Sequence, residues 1–213
     1  METPDEVTTR QSTVEEWTEA LAQSNGSPGG GAGTGVMLGI AASLTSMVAG
    51  YSENADKELL DRARGLRRTA LRLADEDAAA SKAFGAAFRL DPGPSRDEAI
   101  RKASVEAAKA SAVLGDHAID AIEDLGWLAM NGNPALIADV VVAFGALRAA
   151  IAGARTNVSF DLAALAKGGT SLEEVRSRHP ELWQTVGQLS SALDRIDELT
   201  AQVDAKAAPT DAL

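Results

Sequence analysis

From Asn54 to Leu90 the chain runs without a proline and with only two glycines, Gly65 and Gly85. As one helix this run would be about 55 Å long at 1.5 Å per residue. Asp91-Pro92-Gly93-Pro94 ends it, and Ser95 with Glu98 reads as a capping box that opens a further helix to about Met130. Asn131-Gly132-Asn133-Pro134 marks the next turn. A fourth long helix is then predicted from Ala135 to about Ala166, closed by Lys167-Gly168-Gly169. Upstream, Thr13 and Glu16 predict a short capped helix to about Gln23. The breaker cluster Asn25 to Gly31 follows, and an apolar helix runs from it to about Gly50. A short helix is predicted over Thr170 to Arg178. Leu182, Val186, Leu189, Leu193, Ile196, Leu199 and Val203 then form the apolar seam of a last amphipathic helix. Strands favour aromatic and β-branched side chains, but aromatics are only 4% of this chain and alanine, the best helix former, is abundant. The expected fold is all-α, an up-and-down bundle of long helices. It forms one domain over residues 13–205, with loose tails at 1–12 and 206–213.

Charge and composition exclude several functions. Lys and Arg number 20 against 31 Asp and Glu, a net charge of −11, and general binding to nucleic acid or an anionic membrane needs the opposite sign. Without cysteine there is no disulfide framework, thiolate zinc site or cysteine nucleophile. The two histidines, His117 and His179, are far apart and no cluster has metal-ligand spacing, so no metal is expected. Gly35–Gly50 is short for a membrane span, and Leu136–Ala154 carries Asp139 and Arg148; both read as helices buried in protein. The polar, acidic start lacks a secretory signal, which makes the cytoplasm the expected location.

Four segments could carry chemistry. In Ser27-Pro28-Gly29-Gly30-Gly31-Ala32-Gly33-Thr34-Gly35, glycines entering a helix cost roughly 0.5–1 kcal/mol each. They either expose backbone N–H groups to a ligand oxygen or let helices approach closely. Asn133 is suited to cap the helix that contains Asp139, a carboxylate among Ile137, Val140, Val141 and Val142 that reads as buried and therefore paired or functional. Asn157 and Asp161, one turn apart, share a helix face. Asp77, in Asp75-Glu76-Asp77, belongs either to a solvated acidic face or to a site.

Taken together, these segments resemble the cyclodeaminase family of folate enzymes. Its Thr-Pro-x-Pro-Gly-Gly-Gly-Ser type motif is matched by Ser27-Pro28-Gly29-Gly30-Gly31-Ala32, and Met47-Val48-Ala49 follows at the expected distance. Its Asp-x-x-Ala segment, leading to Leu-Pro-Lys, is echoed by Asp77 to Ala80 and by Phe88-Arg89-Leu90. Its Gly-Asn-x-x-x-x-Ser-Asp and Asn-Val-x-Ile-Asn-Leu motifs are matched by Gly132 to Asp139 and by Asn157 to Leu162. The chain departs from the pattern at Ala32 and Ala138, where serine is usual, at Asp161, where asparagine is usual, and at Asp91-Pro92.

The resemblance implies a helical homodimer acting on a tetrahydrofolate derivative without a further cofactor. The family either closes a formimino group with loss of ammonia, giving the methenyl form, or hydrolyses the methenyl form. On this reading Asp139 and Asp77 are the ionisable pair, and Asn133, Asn157 and Asp161 hold or polarise the substrate. Pro28 and Gly29 to Gly31 line its site, and Arg155 and Arg89 are the local cations for a glutamate tail. The substituted positions leave two alternatives: another amine elimination or cyclisation on a non-folate substrate, or an inactive helical binding or scaffold dimer.

Overall fold

A computed structural model describes residues 7–24, 26–166 and 170–211. Its helices are α1 (Val14–Leu21), α2 (Gly30–Gly50), α3 (Lys57–Phe88), α4 (Pro94–Asn131), α5 (Ile137–Leu165), α6 (Leu172–Arg178) and α7 (Pro180–Ala207). A single 3-10 turn over Pro134–Leu136 leads into α5, and there is no strand among the described residues. The all-α bundle expected from the breaker spacing is the fold observed.

Helices α2 to α5 form the four sides of an up-and-down bundle. Each packs against the next, α5 returns to α2, and α7 lies against α4 and α5. Small residues set the spacing. Gly35 of α2 meets Ala70 and Ala74 of α3, Gly39 meets Leu71, and Gly153 of α5 meets Thr34 of α2. Leu38, Val48, Leu114, Leu125, Phe144, Leu147, Ile151, Leu189 and Ile196 fill the interior, where Phe144 is the one aromatic side chain among the buried described residues of this cluster and Trp127 packs against them from the edge. An alanine Cβ at Gly35 would lie 2.8 Å from the Ala74 Cβ and 3.0 Å from the Ala70 carbonyl oxygen, so α2 and α3 would have to separate. Gly35→Ala is therefore expected to cost about 1–3 kcal/mol and lower the melting temperature by several degrees in a circular-dichroism melt. Gly33→Ala, at a position with open space around it, should leave the melting temperature unchanged or raise it.

Several local expectations change. The unbroken run becomes a helix only from Lys57, because the Asp56 carboxylate accepts the Leu59 N–H at 2.6 Å and so fixes the start. Ser95 and Glu98 form no capping box. Pro94 takes the first helical position after Gly93 (φ 155°), and Glu98 pairs instead with Arg101. The last helix continues to Ala207. Residues 7–12 of the expected loose tail are tied down. Thr9 N–H and Arg10 both reach the Asp75 carboxylate, at 2.6 and 2.7 Å, and Trp17 Nε1 donates to Thr9 Oγ1 at 3.1 Å. The buried Trp17 ring packs with Ala32 and Ala74, so this strap lies beside the glycine run. The closing Lys167-Gly168-Gly169 lies outside the described residues, as does Asn25.

By length and composition α2 and the Pro134–Leu165 segment are apolar enough to cross a membrane, with mean hydropathies of 1.5 and 2.0. More than half of the apolar window of α2 is buried within the bundle, as expected. For the second segment the expectation is only partly met: 33% of its window is buried, and an apolar face of α5 is left uncovered.

Candidate active site

Helix α2 begins without a side-chain cap. Gly29, the residue before it, is extended, and the first turn is Gly30-Gly31-Ala32. Orphan N–H groups at a helix start require an acceptor, and α3 supplies one. The Asp77 carboxylate accepts the Ala32 N–H, and Ser81 Oγ donates to Asp77 Oδ2 at 3.5 Å. Any side chain at Gly31 would collide with this carboxylate. Ser27 Oγ donates to the Ala78 carbonyl at 2.8 Å, pinning the loop to α3, and Pro28 after it is buried. Of the two sequence readings of the glycines, close approach of helices applies at Gly35 and Gly39, while the acceptor met at the helix start is a protein carboxylate rather than a ligand oxygen. Gly31 admits a protein carboxylate to the helix start, while Gly35 and Gly39 admit a neighbouring helix. Asp77 does not belong to a solvated face.

Near its C-terminal end α5 presents a second carboxylate. Asp161 is half-buried and close enough to Asp77 for the charge on one to oppose ionisation of the other. Burial, and then Asp77, push Asp161 up to about 7. Burial also raises Asp77, opposed by the hydrogen bonds from Ala32 and Ser81. Those bonds favour the charged form, so Asp77 is the group that ionises first and Asp161 keeps its proton. Asn157, one turn before Asp161, is on the same face of α5 and also half-buried. The two members of the pair come from motifs far apart in the sequence. The signal that could have found them was the carboxylate standing where the resembled motif has asparagine.

Asn133 and Asp139 are elsewhere. Asn133 Oδ1 accepts the Ala135 N–H at 3.0 Å and so caps the 3-10 turn, as expected. Its own N–H donates to Ser52 Oγ at 2.9 Å and its Nδ2 to the Tyr51 carbonyl at 3.1 Å. It is thus fixed to the C-terminal end of α2, whose opposite end holds the glycines. Asp139 lies in the first turn of α5, half-buried rather than buried, and makes no hydrogen bond or ion pair among the described residues. The α2 helix, with 21 residues, separates this end from Asp77 by about 30 Å. One chain therefore does not bring Asp139 and Asp77 together as a pair. Arg155 is two positions from Asn157 and so points from the opposite face of α5, and Arg89 ends α3 three turns beyond Asp77 in an exposed position. The wide groove between α4 and α7, about 1250 Å³, contains none of these residues.

The fold is an all-helical bundle in which two neighbouring carboxylates, Asp77 and Asp161, stand beside the backbone amides of the glycine run. The chain belongs to the formiminotransferase-cyclodeaminase family, whose profile matches residues 13–177. It is 28% identical over 200 residues to a methenyltetrahydrofolate cyclohydrolase of Methylorubrum extorquens, across 87% of this chain and 94% of that protein. Its fold is similar to that of formiminotetrahydrofolate cyclodeaminase from Thermotoga maritima. There the TM-score is 0.73 at 20% identity, covering 91% of this chain and 98% of the other.

Proposed function

We propose that this chain is a folate one-carbon enzyme. It would convert formiminotetrahydrofolate to the methenyl form with release of ammonia, or hydrolyse the methenyl form to formyltetrahydrofolate, and would work as a homodimer in the cytoplasm. The observation that carries the reading is the Asp77–Asp161 pair, one member held near neutrality. In cyclodeamination a folate nitrogen bonds to the formimino carbon and loses a proton, and the departing amine must gain one. Asp77, ionised, accepts the first proton and delivers it to the amine, so the carboxylate is regenerated as ammonia leaves. In hydrolysis the same carboxylate takes a proton from the adding water and returns it to the nitrogen that separates from the carbon, and the remaining hydroxyl proton passes to solvent as the formyl C=O forms. Asp161, protonated, supplies an O–H donor where the resembled motif has an amide, and with Asn157 it holds the substrate. Both reactions consist of proton transfers and bond changes at one carbon, so the reading calls for no redox cofactor.

The test follows the ultraviolet absorbance of the methenyl folate. Purified protein should form it from the formimino compound or accelerate its loss. If it does neither, the folate reading fails, and a thermal-shift screen of other amines then separates a different substrate from a scaffold role, since only a ligand that binds the folded state raises the melting temperature.

A further inference from the structure

The inner face of α3 continues beyond the helix that covers it. Leu59, Ala63, Ala70, Leu73 and Asp77 recur at helical spacing along this face, and the first four are buried. Helix α2 runs antiparallel to it, from Gly31 at Asp77 to Gly39 at Leu71, and the loop before α2 meets α3 at Ala78 and Ser81. The same face then carries Phe84 and Phe88. At about 3.6 residues per turn, Asp77, Ser81, Phe84 and Phe88 fall within about 60° of arc. Phe84 is half-buried and Phe88 44% exposed, and Phe84 joins none of the interior hydrophobic clusters. Nor do the two rings join α3 to α4, since the groove there is lined by Ala83, Ala87, Ala99 and Ala103. They pack on each other, with centroids 4.9 Å apart and planes tilted by 55°.

Two cations stand beside these rings. Arg96, in the first turn of α4, holds its guanidinium carbon 5.9 Å from the centroid of the Phe88 ring. Arg89 folds back along α3, its Nη1 3.7 Å from where a Cβ at Gly85 would stand. Neither forms an ion pair among the described residues, in a chain where acidic groups outnumber basic ones by 31 to 20. Exposed aromatic surface with unpaired cations beside it suits one kind of occupant, a flat ring that carries carboxylates. The order of the groups is specific as well. Aromatic side chains on a helix lean toward its N-terminus, so the Phe84 ring stands over the turn of Ser81, about 6 Å along α3 from Asp77. Outward from the bundle come a carboxylate, two rings and two guanidinium groups. In a folate the reacting carbon, the benzoyl ring and the glutamate carboxylates follow in that same order.

We propose that Phe84 and Phe88 are the platform on which the substrate's benzoyl ring packs, and that Arg96 and Arg89 receive the carboxylates beyond it. This rests on the folate reading above and adds the part of the site that selects the substrate. Asp77 and Asp161 act at the reacting carbon, whereas the rings touch a part of the molecule that does not change in the reaction. Their contacts are therefore equal in the ground and transition states, so they set KM and leave kcat alone.

Two experiments decide the point, and the first needs no turnover. The fragment p-aminobenzoylglutamate carries the ring and the carboxylates but neither the pterin nor the reacting carbon. Calorimetric titration into the whole protein at millimolar concentration should show binding, weakened about tenfold by combined Phe84→Leu and Phe88→Leu and retained by Phe84→Tyr. Arg96→Gln should weaken it by a similar factor in a salt-dependent way. Binding that is absent from wild type, or equal in wild type and the double leucine variant, overturns the proposal. The second experiment follows methenyl absorbance. In the double leucine variant KM should rise about tenfold, with kcat within about twofold of wild type. A fall in kcat at unchanged KM overturns the proposal too, because the rings would then only support the helix that holds Asp77. If wild-type protein turns over no folate, the folate reading has failed, while the titration still decides whether this stripe holds an aryl carboxylate.

Discussion

Replacing Asp77 by Asn is expected to lower turnover about a hundred- to ten-thousand-fold, the usual contribution of a positioned acid–base group, and to leave the fold intact. The substitution separates the two functions of this side chain. An asparagine carbonyl can still accept the Ala32 N–H, so the start of α2 keeps its cap. What is lost is the ability to take up and return a proton. Removing the Asp77 charge also removes the second cause of the raised Asp161 titration, so Asp161 should titrate below its wild-type value of about 7, still held up by burial. A single-turnover measurement of methenyl absorbance checks the rate, and a circular-dichroism melt checks the fold. Wild-type turnover in a folded Asp77→Asn variant would mean that the proton is carried elsewhere. Asp77→Ala, which also removes the cap acceptor, should lose about 1 kcal/mol of stability in addition.

The contrast between fold and site shows how far the sequence could be read. Helix ends were legible where the chain itself supplies the stop: Pro92 and Pro94 beyond α3, Asn133 before Pro134, and the Thr13–Glu16 box of α1. They were less legible where the chain carries no breaker: the run from Asn54 has none at its start, and Asp56 fixes the first turn of α3. Helical periodicity places Asn157 and Asp161 on one face but says nothing about which helix that face meets. That depends on the register between α3 and α5, and it is fixed by contacts without a local pattern, Gly31 against Asp77 and Gly153 against Thr34. Asp139 shows the converse. Its apolar neighbours in sequence suggested burial, yet it lies at the end of the bundle, on a helix whose outer face this chain does not cover. The N-terminal strap was hidden for a similar reason. Thr9 and Arg10 are ordinary tail residues until Asp75 and the Trp17 pocket give them partners.

Asp161→Asn should act in the opposite direction to Asp77→Asn. A carboxyl that titrates at 3.8 when unfolded and about 7 when folded binds more protons in the folded state between those values. Folding stability therefore falls as pH rises through that window, and the full penalty is present above pH 7. The amide carries no such penalty. Allowing for screening of a half-exposed group, the variant should be roughly 1–2 kcal/mol more stable than wild type at pH 8 and equal to it near pH 4. The effect on activity has the same origin. Below pH 7 the wild-type Asp161 O–H donates a hydrogen bond much as the asparagine amide would. Above it, Asp161 becomes a second negative charge beside Asp77 and can no longer donate. Wild-type turnover should accordingly fall about tenfold per pH unit above 7, and the asparagine variant should lack that limb while matching wild type near pH 6. Melts at pH 4 and 8 and a rate profile from pH 5.5 to 9 test both parts. A variant inactive at every pH would make Asp161 itself the proton donor to the leaving amine, and Asp77 only the acceptor.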